Sequence, residues 1–202
     1  GLMPSLSKLF ARIAEQTGDE NGISRASYGV AETAAAESLI DYAREHELDA
    51  AYDRVGNVTI AAPGQIEADP EILIGSHLDS VPRGGNYDGL AGVVAGMGTL
   101  AALNSCGLAA QGVRVIGFRG EESPWFGTAY LGSKLFTGQL TLAETDSMRR
   151  FDTGKSLSEH LTEIGVARTQ IDGRPAVSLD RVRAYLELHI EQGPELGDLE
   201  RP

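Results

Sequence analysis

The stretch EILIGSHLDSVPRGGNYDGLAG, residues 71–92, joins a short apolar segment to a glycine-rich loop that carries one histidine and two aspartates. The segment 71–76 is too apolar for a half-exposed strand, which favours a strand in the centre of a sheet. Residues 88–103 are mostly Gly, Ala, Val, Met and Leu, which predicts a buried helix packed closely on that sheet. The loop therefore presents His77, Asp79 and Asp88 between a central strand and a helix.

The neighbouring segments extend this pattern into an α/β domain. Residues 113–118 and 181–190 are predicted to form two further strands, and a hairpin is predicted from strands at 51–55 and 58–62. Strand, helix and strand in this order indicate a largely parallel central sheet flanked by helices.

The remaining segments are predicted to be mainly helical. Apolar residues at helical spacing predict an amphipathic helix at the start of the chain, and a second helix is predicted over residues 31–45. Residues 141–178 have weaker periodicity and are predicted to form helices and loops over one edge of the sheet.

Composition narrows the class of protein. The 202 residues suit one large domain, or one domain with a piece of a second, and the formal net charge of -12 argues against nucleic-acid partners and anionic membranes. Cys106 is the only cysteine, which fits a reducing compartment. No apolar run approaches the roughly 20 residues that span a bilayer. We therefore expect a cytoplasmic protein.

Imidazoles and carboxylates follow three predicted strands. His77 and Asp79 follow the first, Glu121 and Glu122 follow the second, and His189 lies near the end of the third. In open α/β sheets, ligands bind in the crevice at such strand ends. Nitrogen and oxygen donors without a thiolate are typical of sites for zinc, manganese, cobalt or nickel.

Each of these residues also has a simpler interpretation. An aspartate before a helix, such as Asp88, is usually an N-cap, and paired glutamates are usually solvated. A polar face on an apolar strand, with His189 beside Tyr185 and Glu187, is instead typical of a lined cleft. The combination favours a metal site, whereas His46 and His160 lie in charged segments and are predicted to be solvated.

The chain resembles the hydantoinase/carbamoylase-type amidases, which include N-carbamoyl-L-amino acid hydrolases, allantoate amidohydrolases and microbial-type β-ureidopropionases. This group is related to the two-metal aminoacylase and carboxypeptidase-like zinc hydrolases. The resemblance covers roughly residues 18–194. The matching motifs are Gly75-Ser-His-Leu-Asp79, Gly85-Asn-Tyr-Asp-Gly89, Arg119-Gly-Glu-Glu122 with Phe126-Gly127, and His189-Ile-Glu-Gln-Gly-Pro194. The last is the most specific, because related peptidases usually have a carboxylate where this chain has His189.

The resemblance implies a zinc-peptidase-like catalytic domain that holds two divalent metal ions. It implies that His77 and His189 bind one ion, that Asp88 bridges both, and that Glu122 holds the second. These four residues form the implied metal shell.

The resemblance also implies the roles of three further residues. Asp79 would orient the His77 ring, Glu121 would be the general base, and Gln192 would hold the amide or ureido group of the substrate. The implied reaction is hydrolysis of a C–N bond in N-carbamoyl-L-amino acids or ureido acids such as allantoate.

Chains of this family continue through an inserted dimerisation and lid domain and return to supply a late histidine for the second metal. Residues 1–194 are therefore expected to be the amino-terminal part of the catalytic domain, followed by a truncated tail at 195–202. On this basis one metal site is incomplete, the chain alone is weakly active or inactive, and the full-length form is a homodimer. The alternatives are a two-metal peptidase or aminoacylase, and a non-catalytic metal-binding remnant.

Overall fold

A five-stranded sheet with helices on both faces organises the chain, in a computed structural model that describes residues 2–108 and 110–199. Of these, residues 2–4 and 196 are described in backbone alone, and residues 200–202 of the predicted tail lie outside the described residues. The helices are α1 (Leu2–Thr17), α2 (Val30–Glu45), α3 (Leu90–Ser105), α4 (Leu131–Phe136), α5 (Leu142–Ser147), α6 (Leu157–Glu163) and α7 (Glu195–Asp198). The strands are β1 (Gly18–Asp19), β2 (Gly22–Ile23), β3 (Asp49–Tyr52), β4 (Val58–Ala61), β5 (Ile72–His77), β6 (Val113–Phe118) and β7 (Ala184–Leu186).

The predicted helices and central strands are confirmed, with boundaries that differ by a few residues. The segment 141–178 forms α5, α6 and a 3₁₀ turn at Arg168–Gln170, as expected for helices and loops. Within the described residues, no helix has both the length and the apolar character needed to cross a membrane.

The central sheet has the strand order β3-β4-β6-β5-β7, and its pairings are mixed. The strands that lead to the predicted site agree with the expected parallel sheet, because β5 runs parallel to both β6 and β7. β3 and β4 are instead antiparallel, since the short connection 53–57 can only return the chain alongside itself, and β4 also pairs antiparallel with β6. The α/β class is confirmed, and the hairpin makes the sheet mixed rather than wholly parallel.

Two apolar layers bury the sheet. On one face, α1, α2 and α3 share a core with β4 and β6 that includes Leu9, Leu39, Met97, Ile60 and Val115. On the other face, α4 and the segment after α6 cover the sheet through a smaller cluster of Leu73, Ile116, Phe118, Phe136, Ala176, Val177 and Val182. Alternation along β6 explains this division, because neighbouring residues of a strand face opposite sides.

The last predicted strand is shorter than expected. β7 pairs only with Ile72–Ile74 of β5, and the chain leaves the sheet after Leu186. Leu186, Leu188 and Ile190, which alternate with the polar residues of this segment, are 53%, 56% and 39% exposed. The prediction of a strand over 181–190 is wrong beyond 184–186, because no described element pairs with or covers the outer side of this edge strand.

The prediction that His46 and His160 are both solvated is wrong for His160, which is 3% exposed. It lies on the inner face of α6, 2.9 Å from Thr153 Oγ1, and contacts the Phe126 ring edge to face. His46 is half-buried and stacks on Tyr42. The charge of the neighbouring residues in the sequence does not indicate which face of a helix is buried.

Candidate functional site

The three parallel strands deliver polar side chains to one cleft of about 680 Å³. His77 is the last residue of β5, Glu121 and Glu122 follow β6, and His189 follows β7. The cleft is lined by Ser76, His77, Phe118, Glu121, Glu122, Ser123, Ala129, Tyr130, Ser133, Tyr185, Glu187, His189 and Gln192. The convergence expected at the carboxyl ends of the strands is therefore observed.

Three of the predicted metal ligands form a compact donor set. His77 Nε2 lies 3.1 Å from His189 Nε2, and Asp88 Oδ1 lies 3.5 Å from each of these nitrogens. Among the described residues, His77, Asp88 and His189 are the group whose ligand atoms all lie within 4.8 Å of one another. Two imidazoles and a carboxylate directed at a common point fit a divalent cation such as zinc.

The helix-capping interpretation of Asp88 does not hold. α3 begins after Gly89, which occupies the N-cap position, and no side chain caps the helix. Gly89 has a φ of +64°, and a Cβ there would lie 2.4 Å from His77 Nδ1. Glycine is therefore required to pass Asp88 so close to His77.

The His77 ring is fixed through its other nitrogen. Nδ1 lies 3.0 Å from the backbone oxygen of Asp79 and 3.5 Å from Asp79 Oδ1. A proton on Nδ1 donated to that carbonyl leaves the lone pair of Nε2 directed into the cluster, as in many histidine metal ligands. Burial acts to lower the pKa of His77, but hydrogen bonds with Asp79 and Asp88 outweigh it and raise the pKa to about 10. The surrounding acids thus favour positive charge at this point.

The carboxylate of Asp79 mainly holds the loop after β6. It is 0% exposed and accepts hydrogen bonds from the backbone N–H groups of Glu121 and Glu122, both at 3.0 Å. The hydroxyl of Ser27 donates to Asp79 Oδ2 at 2.7 Å. Asp79 therefore connects the segment of His77 to the segment that carries the paired glutamates.

The two adjacent glutamates point to different partners. The Glu121 carboxylate accepts hydrogen bonds from the backbone N–H and the hydroxyl of Ser133, both at 2.8 Å. Burial, opposed by these bonds, raises the pKa of Glu121 to about 7. Glu122 Oε1 instead lies 4.0 Å from His77 Nε2, beside the donor set. Adjacent residues can thus serve different purposes in the same cleft.

Gln192 lies between two acids rather than toward open space in the cleft. Its Nε2 donates to both oxygens of Asp88 at 2.8 Å and to Glu122 Oε1 at 3.2 Å. Its backbone has a φ of +60°, a left-handed conformation that is uncommon outside glycine. Asp88 and Glu122, the two ligands implied for the second ion, are thus already bridged by the side-chain amide of Gln192.

Sequence reasoning missed two groups of residues that support the cleft. Glu187 accepts hydrogen bonds from Ser76 Oγ and from Tyr185 at 3.1 Å, which ties β7 to β5. Arg25, 0% exposed, donates from Nε to the backbone oxygen of Leu78 at 2.6 Å. The shared polar strand face indicated Tyr185 and Glu187 in part. Nothing local to Arg25 marked it, because its partners are more than fifty residues away.

The chain is similar in sequence to known hydrolases. Residues 57–170 match the sequence profile described as Peptidase family M28. An N-carbamoyl-L-amino acid amidohydrolase of Geobacillus stearothermophilus is 32% identical over 182 residues, which cover 90% of this chain and 44% of the relative. An allantoate amidohydrolase of Bacillus subtilis is 35% identical over 151 residues, covering 74% of this chain and 35% of the relative.

Solved structures show the same likeness. A hydantoinase/carbamoylase family amidase from Burkholderia ambifaria has a TM-score of 0.80 and 30% identity, covering 96% of this chain and 47% of that one. AtUAH in complex with (S)-hydroxyglycine has a TM-score of 0.81 and 26% identity, covering 98% of this chain and 48% of that one. The chain spans about half the length of these relatives, or less.

Proposed function

The chain belongs to Peptidase family M28 and to the hydantoinase/carbamoylase-type amidases, and from this premise we propose that it acts as a metal-dependent amidohydrolase. The proposed substrates are N-carbamoyl-L-amino acids or related ureido acids such as allantoate. The observation that carries the proposal is the convergence of His77, Asp88 and His189 within 4.8 Å at one end of the cleft. The names of the relatives, which include N-carbamoyl-L-amino acid and allantoate amidohydrolases, support the substrate class.

The residues present fit one divalent ion with three protein ligands, and they offer two ligands for a second ion. His77 and His189 would hold one ion, Glu122 would hold the other, and Asp88 would be shared between them. When bound, such ions polarise a scissile carbonyl and lower the pKa of a water ligand. The absence of a thiolate from this set suits zinc, manganese, cobalt or nickel.

Glu121 is the proposed general base. Its two carboxylate oxygens each accept one hydrogen bond from Ser133, at 2.8 Å, which fixes the carboxylate plane at the wall of the cleft. Each oxygen keeps a second lone pair, which can take a proton from the attacking water and pass it to the leaving nitrogen. Positioned proton transfer of this kind typically contributes about 10²–10⁴-fold to the rate.

Gln192 is proposed to contact the substrate once its amide is released from the acids. Its Nε2 is a hydrogen-bond donor, and a cation shared by Asp88 and Glu122 would compete with it for their oxygens. The released amide could then donate to the oxygen of a ureido or amide group. Asp79 acts on the reaction indirectly, because it positions the backbone of Glu121 and Glu122.

A substrate panel tests the proposed activity. Hydrolysis of N-carbamoyl-L-amino acids, allantoate and dipeptides would be measured with and without added Zn²⁺, Mn²⁺, Co²⁺ or Ni²⁺. In a version of the protein that turns over substrate, we expect hydrolysis of the carbamoyl or ureido acids to require metal, to disappear in His189→Asn, and to persist in the matched control His46→Asn. Preferential cleavage of dipeptides would favour a peptidase. Metal binding without turnover of any substrate, in a version of the protein that spans the length of the relatives, would favour a non-catalytic domain. The homodimer stays a separate prediction that light scattering can test.

A further inference from the structure

Tyr130 lines the cleft, and core packing does not explain its aromatic side chain. The residue is 61% exposed, and it belongs neither to the proposed metal ligands nor to the groups that transfer protons. The ammonium of Lys134 lies 5.9 Å from the centre of the Tyr130 ring, within the range of a cation–π contact. The ring thus has a neighbour that helps to hold it while most of its surface stays accessible.

The backbone of Tyr130 has a conformation that does not favour a bulky residue. Its φ of +66° and ψ of +37° lie in the left-handed region, which glycine adopts far more readily than tyrosine. The Tyr130 N–H donates to Glu121 O at 3.0 Å, and the Tyr130 oxygen accepts from Lys134 N at 3.0 Å, which holds this conformation. The fold would therefore accept glycine here, and the tyrosine side chain must be explained in another way.

Tyr130 lies in the wall segment that carries the supports of the proposed base. Ser133, three residues later, fixes the Glu121 carboxylate through its N–H and its hydroxyl, both at 2.8 Å. Glu121 is proposed to pass a proton to the leaving nitrogen of the substrate. In an N-carbamoyl amino acid, the side chain branches from the carbon bonded to that nitrogen. The side chain of the substrate should therefore lie against the wall beside Glu121, where Tyr130 is exposed.

The composition of the cleft wall favours an apolar side chain. Phe118, Ala129 and Tyr185 line the cleft together with Tyr130, and the rings of Phe118 and Tyr185 lie 6.1 Å apart. The described residues of the lining include glutamates but neither lysine nor arginine, so an acidic side chain would be repelled. Contact with aromatic rings removes apolar surface from water, which favours a large apolar group.

We propose that Tyr130 determines specificity by contacting the side chain of the substrate, and that the preferred substrates are N-carbamoyl-L-amino acids with a large apolar or aromatic side chain. This inference rests on the proposed function of the cleft and narrows its substrate class. The ring of Tyr130, rather than its hydroxyl, makes the contact, because the group that it meets is apolar.

Calorimetric titration of the zinc-loaded chain tests the inference through binding, without requiring turnover. The probes are N-carbamoyl-L-phenylalanine and N-carbamoylglycine, which differ only in the benzyl group. The phenylalanine derivative should bind about tenfold more tightly, and Tyr130→Ala should abolish most of this preference. Tyr130→Phe should retain it, because the ring remains. The matched control Phe151→Ala removes an aromatic residue that is 74% exposed and does not line the cleft, and it should also retain the preference.

A stability measurement separates recognition from a structural role. Tyr130→Gly should unfold at a urea concentration no lower than the parent does, because glycine adopts this conformation without strain, and yet lose the preference. A lower unfolding midpoint with an unchanged preference would make Tyr130 a structural residue and overturn the inference.

The binding outcomes distinguish this inference from the proposed function. Equal affinity of the parent for the two probes, or a preference that survives in Tyr130→Ala, would overturn the inference alone. Equal loss of the preference in Phe151→Ala would do the same. If the zinc-loaded parent binds neither probe, the proposed function is contradicted, and this inference fails with it.

Discussion

At the scale of single residues, the cleft depends on which atoms face one another. The two Nε2 atoms of His77 and His189 are 3.1 Å apart, with Asp88 Oδ1 3.5 Å from both. The side chains of the adjacent Glu121 and Glu122 point to different partners. Glu121 accepts a hydrogen bond from Ser133, whereas Glu122 lies beside His77. Because their partners differ, we expect substitution of Glu121 and substitution of Glu122 to have different effects.

Replacing each glutamate of the pair by glutamine separates proton transfer from metal binding. In any version of the protein that turns over substrate, Glu121→Gln should leave the metal content nearly unchanged and lower kcat by about 10²-fold or more, because the base is lost while the ligands remain. Glu122→Gln should instead reduce the occupancy of the second ion. Metal analysis and kinetics on the same preparations provide the readout. Equal loss of metal in both variants would show that the roles of the pair are assigned wrongly.

The positions of the predicted site residues were accessible from sequence, and several of their contacts were not. His77, Glu122 and His189 converge because each lies at or beyond the carboxyl end of a parallel strand, which the apolar segments before them indicated. The contacts of Asp79 with Glu121 N and Glu122 N, and the placement of Gln192 between two acids, depend on loop conformation. Loops that are rich in glycine and polar residues can adopt many conformations. The periodicity of the sequence therefore does not predict the contacts that their side chains make.

At the scale of elements, a buried ion pair joins α2 to the segment after β6. Arg119 Nε donates to Glu32 Oε2 at 2.6 Å, and both side chains are 0% exposed. The same carboxylate also accepts from Tyr28 N at 2.7 Å and Gly120 N at 2.9 Å. One residue of α2 thus holds the backbone immediately before Glu121.

Removal of this carboxylate should destabilise the fold. Glu32→Ala should lower the free energy of unfolding by about 3–5 kcal/mol, because it leaves the Arg119 charge buried without its partner. Urea unfolding followed by circular dichroism measures the change. The control Glu45→Ala, which removes an exposed carboxylate from the same helix, should change it by about 0.5 kcal/mol or less. Equal effects of the two substitutions would argue against a structural role for the buried pair.

Close contact between α3 and the segment after β7 should also matter to metal binding. A Cβ at Gly92 would lie 2.4 Å from Leu188 O and 2.7 Å from Ser76 Cβ. Gly92→Ala should therefore displace the backbone next to His189 and weaken zinc binding by about tenfold or more, since ligand geometry is strict. Gly98→Ala, in the same helix, meets only the flexible end of Leu6 at 2.9 Å and should bind zinc as the parent does. Competition with a chromogenic chelator measures both affinities, and unchanged binding in Gly92→Ala would contradict the packing argument.

The short β7 shows a limit of predicting strands from the sequence pattern alone. A strand with a polar face was predicted over 181–190, yet only Ala184–Leu186 pair with β5. Alternation indicates that a strand could be covered, but the covering layer has to come from elsewhere in the structure. No described element supplies it, so Leu188 and Ile190 remain exposed.

At the scale of the whole molecule, the order of strands and helices was sufficient to predict the α/β class. The direction of each strand was not, because a hairpin and a helical crossover impose opposite directions on neighbouring strands. The site lies at the carboxyl end of the parallel strands β5, β6 and β7, where loops from distant segments meet. The central claim is that this convergence forms a metal centre.

X-ray absorption spectroscopy of the zinc-loaded chain tests that claim most directly, with the bound zinc counted by elemental analysis. We predict imidazole nitrogen ligands at about 2.0–2.1 Å and no sulfur ligand. His189→Ala should remove one imidazole from the spectrum and most of the bound zinc, while His46→Ala should change neither. Zinc that persists unchanged in His189→Ala, or that is lost equally in His46→Ala, would contradict the metal centre.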